Sequence, residues 1–303
     1  MTRPLGLIAE LVRAMRPHQW FKNLFVFAPL VFAEKLFLHG QWALDWENLA
    51  TAGIAFALFS MAASTIYLLN DLMDRERDRQ HPVKRNRPLA SGRLPVPAAV
   101  MAAFAMGTTA LVLSHLLLPT SHLLVMAAYF ANNIAYSTTL KHIAFLDIAS
   151  IAAGFMLRIA AGATAIAVPV TGWLYTCTFL LACFLALGKR RHELDRGGEK
   201  ASQQREVLGK YRRSHVLLAM RATAVLTVLG FLAYSLSDHA YTQFQTHGLA
   251  WTLPFILFGL WRFIHLVNSP GVADSPTEAM IRDVPFLLNL FAWGAAVMGV
   301  IYA

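Results

Sequence analysis

Apolar stretches of about twenty residues, the length that crosses a bilayer as a helix, recur from one end of this 303-residue chain to the other. No other feature restricts the fold so tightly. The spacing predicts an all-α, polytopic helical bundle of about nine transmembrane helices, near 23–39, 49–72, 96–118, 121–139, 143–166, 170–188, 215–236, 249–268 and 284–302. Composition agrees: 57% of residues are hydrophobic and 14% charged, against about 25% charged in soluble domains. No polar stretch is long enough for a separate soluble domain, so residues 1–303 are expected to form one transmembrane domain.

A net charge of +9 raises the question of a nucleic-acid partner. The distribution argues against one, because the basic residues sit in alternate loops, as they do on the cytoplasmic side of membrane proteins. Arg3, Arg13, Arg16 and Lys22 precede the first span, and Arg75, Arg77, Arg79, Lys84, Arg85, Arg87 and Arg93 follow the second. Lys141 follows the fourth, and nine basic residues lie between Lys189 and Arg213. The intervening loops hold almost none. This pattern predicts an inner (plasma) membrane protein with a cytoplasmic N-terminus. Residues 1–22 set Leu5, Ile8, Leu11, Val12 and Met15 against Arg3, Arg13 and Arg16, which suits an amphipathic helix on the membrane surface, ended near Pro17. Cys177 and Cys183 fall on separate helical faces and are expected as buried apolar side chains. The scattered histidines show no ligand spacing.

The segment "NDLMDRERDRQHPVKRNRPLASG", residues 70–92, is the candidate site, within a cytoplasmic site loop expected over 70–93. Asp71, Asp74 and Asp78 fall within about 60° of one another on a helix, and Asn70 pairs with Asp74 at i+4. Carboxylates so crowded repel unless a cation joins them. Magnesium takes oxygen ligands, usually one or two carboxylates plus substrate phosphates, so Asp71, Asp74 and Asp78 are the candidate metal ligands for a metal–diphosphate. Lys84, Arg85 and Arg87 add phosphate-binding donors. Taken alone, the spacing also suits a solvated face in which Arg75, Arg77 and Arg79 pair with neighbouring acids.

This segment resembles the first aspartate-rich motif, NDxxDxxxD, of the UbiA superfamily of intramembrane prenyltransferases. "RPHQWFKNLFVFAPL", "YSTTLKHIAFLDI", "GFMLRIAAGA", "LALGKRRHEL" and "SPTEAMIRDVPF" resemble more narrowly its decaprenyl-phosphate phosphoribosyltransferase branch. The resemblance covers essentially the whole chain. One departure bears on the chemistry. A prenyltransferase of this superfamily is expected to carry a second aspartate pair after the sixth helix, where this chain has "GKRRHELDRGGEK".

The resemblance implies transfer of 5-phosphoribose from phosphoribosyl pyrophosphate to a polyprenyl phosphate, with Mg2+ held by the aspartates. One acidic cluster serves one metal–diphosphate, while Lys22, Arg158, Lys189 and Arg190 are candidate partners for the remaining phosphates. Glu193 stands one turn beyond Lys189, in a cytoplasmic site loop expected over 189–213. Arg158 lies eleven residues after Asp147 on the same helix face. So deep a charge normally meets a polar interior or partner, which leaves open a site role or a structural contact with Asp147. Gly154 and Gly162 near that face would permit close approach of a helix or ligand. Tyr136 and Lys141 are candidate substrate contacts, Tyr136 equally an interfacial anchor. The rival functions are prenyl transfer from a prenyl diphosphate to a small acceptor, and lipid transport or binding. The sequence leaves room for a homo-oligomer.

Overall fold

The computed structural model describes residues 4–38, 42–197, 206–269 and 276–302. Its α-helices are α1 (Pro4–Met15), α2 (Ala28–Phe32), α3 (Trp46–Met73), α4 (Arg75–Gln80), α5 (Val96–Leu117), α6 (Thr120–Thr138) and α7 (Leu146–Ala165). They continue with α8 (Gly172–Gly197), α9 (Arg213–Ser235), α10 (Asp238–Phe244), α11 (Leu253–Asn268), α12 (Pro276–Met280) and α13 (Val284–Tyr302). Among the described residues there is no strand beyond an isolated bridge between Phe37 and Leu44.

Among the described residues, seven helical segments are long and apolar enough to cross a membrane: α3, α5, α7, α8, α9, Gly248–Asn268 and α13. Two of the nine expected spans are not among them. The stretch near 23–39 is divided: a 3-10 helix covers Pro17–Phe27, α2 follows, and the chain turns after Phe32. Pro17 and Pro29 lack backbone donors, and side chains hold the 3-10 backbone instead. Trp20 Nε1 donates to Ser64 Oγ at 3.0 Å and Asn23 Nδ2 to Ser60 Oγ at 3.0 Å. The span near 121–139 exists as the 19-residue helix α6, but His122, Asn132 and Asn133 dilute its apolarity.

The chain divides into two compact units, Met1–Ser137 with Leu157–Val170, and Thr138–Met156 with Thr171–Ala303. In the first, α5 lies along α3 through a small-residue stripe of Ala99, Ala103, Gly107, Ala110 and Ser114, all buried. Small side chains let the helix backbones approach closely. Leu58, Phe59, Ala62 and Ile66 of α3 pack with Met126 and Tyr129 of α6 and Ala161 and Ala165 of α7. A second cluster joins Ala14 of α1 to Leu68, Leu89, Leu94 and Ala99, which seats the acidic segment. Gly162 is required where it stands, since a Cβ there would run into the backbone carbonyl of Val26. The close approach expected at this glycine is therefore made by the 3-10 stretch.

α1 is amphipathic as expected, with Leu7, Leu11 and Met15 packed inward and Ile8 and Val12 exposed. Arg3 lies outside the described residues, as does the side chain of Leu5. Glu10 accepts from Arg13 at 2.7 Å and from Arg93 Nε at 3.0 Å, tying α1 to the end of the acidic segment.

In the second unit α8 packs along α9. Phe184 and Leu187 meet Val216, Met220, Phe263 and Val267, with Ile148, Val207 and Tyr211 completing the core. Phe184 and Phe263 cross edge to face with centroids 5.2 Å apart. Asp283 caps α13 by accepting from the Phe286 N–H at 2.9 Å, and Arg262 clamps it with two bonds of 3.0 and 2.7 Å. Cys177 and Cys183 are both free thiols.

Candidate functional site

The acidic segment forms the first of two charged clusters. α3 ends at Met73, and Asp74 takes a non-helical ψ of 4° between α3 and α4. The single helical face expected for Asp71, Asp74 and Asp78 is thus bent at its middle member. The backbone still steps regularly through it, with Asp74 N–H donating to the Asn70 carbonyl at 2.9 Å and Asp78 N–H to that of Asp74 at 2.8 Å. The bend leaves Asp71 and Asp78 buried and Asp74 more open, its side chain 31% exposed and its carboxylate 4.0 Å from Arg77.

Arg87 joins the two buried acids. Its Nη1 lies 3.2 Å from Asp71 Oδ1 and 2.6 Å from Asp78 Oδ2, so one guanidinium nitrogen sits between two carboxylates. A second arginine, Arg16, reaches the same Asp71 oxygen at 2.5 Å and stacks over Tyr67, 5.1 Å from the ring centroid. Arg16 adopts a left-handed conformation, φ 55° and ψ 59°, before Pro17, at a cost of roughly 1–3 kcal/mol. Sequence inspection placed Arg16 only on the surface helix. Its partner lies 55 residues away, and no local pattern signals that. Asn70, expected to work with Asp74, also accepts a 2.5 Å bond from Ser137 Oγ on α6.

Among the described residues, no three His, Cys, Asp or Glu side chains are gathered closely enough to hold a metal by themselves. The donor chemistry nevertheless fits magnesium. Two buried carboxylates converge on one cationic nitrogen, and oxygen donors of this kind are what magnesium takes, together with phosphate and water. Lys84 is half-buried and Arg85 exposed in the same segment.

Arg158 is buried in this first unit. Its Nε donates to Asn23 Oδ1 at 2.7 Å and its Nη2 to the Tyr129 hydroxyl at 3.1 Å, with the guanidinium 5.1 Å from that ring's centroid. A charge at this depth needs such acceptors. These acceptors are consistent with either reading weighed for Arg158, a site role or a structural contact. Lys22, on the 3-10 stretch, donates to Gln19 Oε1 at 2.5 Å. Tyr136 is half-buried near the end of α6.

The second cluster belongs to the other unit. The expected loop over 189–213 is helical over 189–197, the end of α8; residues 198–205 lie outside the described residues. Lys189, Arg190 and Glu193 therefore stand on a helix. Arg190 has a side-chain exposure of 1% and Asp147 of 0%, and Arg190 Nε donates to Asp147 Oδ2 at 2.7 Å. Arg190 Nη1 donates to Glu193 Oε2. Asp147 Oδ1 accepts from the Tyr211 hydroxyl at 2.5 Å and from the Ile148 N–H at 2.9 Å. Arg190, expected as a phosphate partner, is thus a buried partner of two carboxylates. Tyr211 was missed because its 64-residue separation from Asp147 leaves no local trace. Burial, then the bond to Asp147, hold its phenol well above the ordinary tyrosine range. Lys141, half-buried on the short 3-10 turn Leu140–His142, falls in this unit.

An all-helical membrane chain whose paired acids sit among arginines after a spanning helix is the architecture of an intramembrane transferase, and this chain belongs to the UbiA prenyltransferase family, whose model matches residues 26–298. Within it, the chain is 33% identical to the decaprenyl-phosphate phosphoribosyltransferase of Mycobacterium tuberculosis over 97% of this chain and 95% of that one. It is 31% identical to the protein of the same name from Corynebacterium glutamicum, over 99% and 89% of the two chains. A UbiA homolog from Archaeoglobus fulgidus, solved bound to GPP and Mg2+, has the same fold, with a TM-score of 0.69 at 18% identity, covering 97% of this chain and 100% of that one.

Proposed function

We propose that this protein transfers 5-phosphoribose from phosphoribosyl pyrophosphate to a polyprenyl (decaprenyl-type) phosphate. The products are diphosphate and polyprenyl-phosphoryl-5-phosphoribose, a lipid-linked sugar precursor for cell-envelope glycans. The observation that carries this reading is the near-full-length likeness to relatives named for that transfer. The site adds chemical support: buried carboxylates bridged by an arginine suit a diphosphate bound with a cation, and no nucleophile–histidine pair is needed.

In the proposed reaction an oxygen of the lipid phosphate bonds to ribose C1 as the bond from C1 to the diphosphate oxygen breaks. C1 gains oxocarbenium character, and in-line displacement inverts its configuration. The attacking phosphate is already anionic near neutral pH, so no residue need remove a proton. Asp71, Asp74 and Asp78, with Asn70 beside them, would hold magnesium, which supplies charge neutralisation at the departing diphosphate. Arg87 and Arg16 would then be released from the acids to donate to phosphate oxygens, with Lys22, Lys84, Arg85, Lys141 and Lys189 as further cations. Tyr136 is assigned a substrate contact. We assign Arg158 in the first unit, and Asp147, Arg190 and Glu193 in the second, to substrate binding.

We take residues 1–303 as one catalytic domain, because the family match runs through both units. We also keep the stretch near 23–39 and α6 as the eighth and ninth spans. Loop charge then places the N-terminus and the acidic segment on the cytoplasmic side of the inner membrane, where a soluble phosphorylated sugar is at hand.

The test is mass spectrometry of the lipid fraction after purified protein is incubated with magnesium, polyprenyl phosphate and phosphoribosyl pyrophosphate. A phosphoribosyl lipid is the expected product. Diphosphate release without it, or product formed only from a prenyl diphosphate and a small acceptor, overturns the proposal.

A further inference from the structure

The acidic segment is served by one arginine more than its bridge requires. Arg87 Nη1 spans the two buried acids, 3.2 Å from Asp71 Oδ1 and 2.6 Å from Asp78 Oδ2. Arg16 Nη2 reaches the same Asp71 oxygen at 2.5 Å from outside the segment, at the corner between α1 and the 3-10 stretch. Among the described residues, Asp71 Oδ2 and Asp78 Oδ1 accept no hydrogen bond. Each buried acid thus has one oxygen outside the arginine bridge. The charges balance, two carboxylates against two guanidiniums. A divalent cation gains little net attraction from a neutral group, and far more once one arginine has withdrawn.

The two arginines are not equivalent in what their withdrawal leaves behind. Without Arg87, Asp78 loses its partner while buried, which is costly. Without Arg16, both acids are still paired through Arg87. Arg16 is also the strained member, with φ 55° immediately before Pro17, a backbone that a side chain and a following proline both disfavour. Its guanidinium is held by Asp71 and by the Tyr67 ring, 5.1 Å away. The seat of α1 has other supports. Ala14 belongs to the buried cluster with Leu68, Leu89 and Leu94, Leu7, Leu11 and Met15 pack against it, and Glu10 accepts from Arg93 Nε at 3.0 Å.

We infer that Arg16 is an internal competitor for the divalent cation: it holds Asp71 Oδ1 until the cation displaces it, and so sets the cation concentration that the site needs. The inference rests on the metal role proposed above for Asp71 and Asp78. It adds a residue outside the aspartate motif, brought in by the surface helix α1, whose removal strengthens cation binding rather than weakening it.

The experiment titrates Mn2+, used in place of magnesium, into the full-length protein in nanodiscs of zwitterionic lipid. Free Mn2+ is read by its electron paramagnetic resonance signal. Wild type should bind Mn2+ at a site that is lost in Asp71→Asn. Arg16→Gln should bind it about tenfold more tightly, the scale of one charge-assisted hydrogen bond no longer given up on binding. Arg13→Gln removes an equal charge from the same helix, at a side chain 67% exposed. It should stay within about twofold of wild type, because an exposed charge acts weakly. Tightening below about threefold in Arg16→Gln, equal tightening in Arg13→Gln, or no Asp71-dependent Mn2+ in wild type each overturns the inference. If Arg16→Gln does not fold, Arg16→Lys decides it. Lysine keeps the charge but loses the flat group that lies over Tyr67, so tightening of about twofold or more supports the inference and anything less overturns it. No sugar or prenyl donor is present in the titration. Failure of the proposed transfer would show only in the lipid product and would leave the cation result standing.

Discussion

The two charged clusters use the same residue types to opposite ends. Around Asp71 and Asp78, the bridging arginines are a quarter or so exposed, Arg16 at 24% and Arg87 at 29%, and two of them compete for one carboxylate oxygen. Around Asp147, the arginine and the acid are sealed, and each oxygen of the acid has its own donors. Ion pairs with a partly exposed arginine cost less to exchange than sealed ones. Buried, fully bonded pairs cost several kcal/mol to break. On the proposed function, the acidic segment would trade its arginines for a cation and phosphate, whereas breaking the Asp147 cluster would cost more.

Three outcomes would break or sharpen this contrast. The largest concerns Asp74, the most open of the three aspartates. Asp74→Ala should lower turnover by about a hundredfold or more, the scale expected when charge stabilisation at a leaving group is lost. Melting temperature and membrane insertion should stay at wild-type values. A loss under tenfold would place the exchange elsewhere.

Asp147→Ala should behave in the opposite way. Leaving Arg190 buried without its acid costs about 3–5 kcal/mol, seen as a large drop in melting temperature and poor recovery of folded protein before any activity is measured. A variant that melts normally would show that the cluster is not the rigid partner of the pair.

The smallest effect tests a third ion pair, which has neither role. Arg262 beside Asp283, together with the Phe286 N–H, holds the Asp283 carboxyl below the usual carboxylate value. A lowered folded-state value means that the stabilisation is present above the ordinary carboxylate range and is lost as pH falls through the depressed value. Thermal melts from pH 7 down to pH 3 should show a shallow acid loss in wild type that is reduced in Asp283→Asn. Equal acid loss in both proteins would remove this pair from the account. Because the pair is near the surface, the effect should be slight.

Much of the fold was legible because its signals are local. Apolar run length predicted seven of the helices that are long and apolar enough to cross a membrane. The first stretch misled because two prolines and the side chains of Trp20 and Asn23 favour 3-10 geometry over a regular span. The expected loop after the sixth span proved helical for two further turns because Lys, Arg, His, Glu and Leu are compatible with helix wherever a hydrophobic run ends.

By itself, the sequence determined a helical membrane chain of the UbiA family, with three aspartates after a spanning helix and cations in alternate loops. Those properties follow from residue type and spacing along one strand of chain. Tertiary structure alone decided that Arg16 and Arg87 share Asp71, that Arg158 rests on Asn23 and Tyr129, and that Asp147 answers to Arg190 and Tyr211. The physical reason is that an ion pair is chosen by burial and distance among many chemically equivalent arginines, and only packing reveals which of them is near.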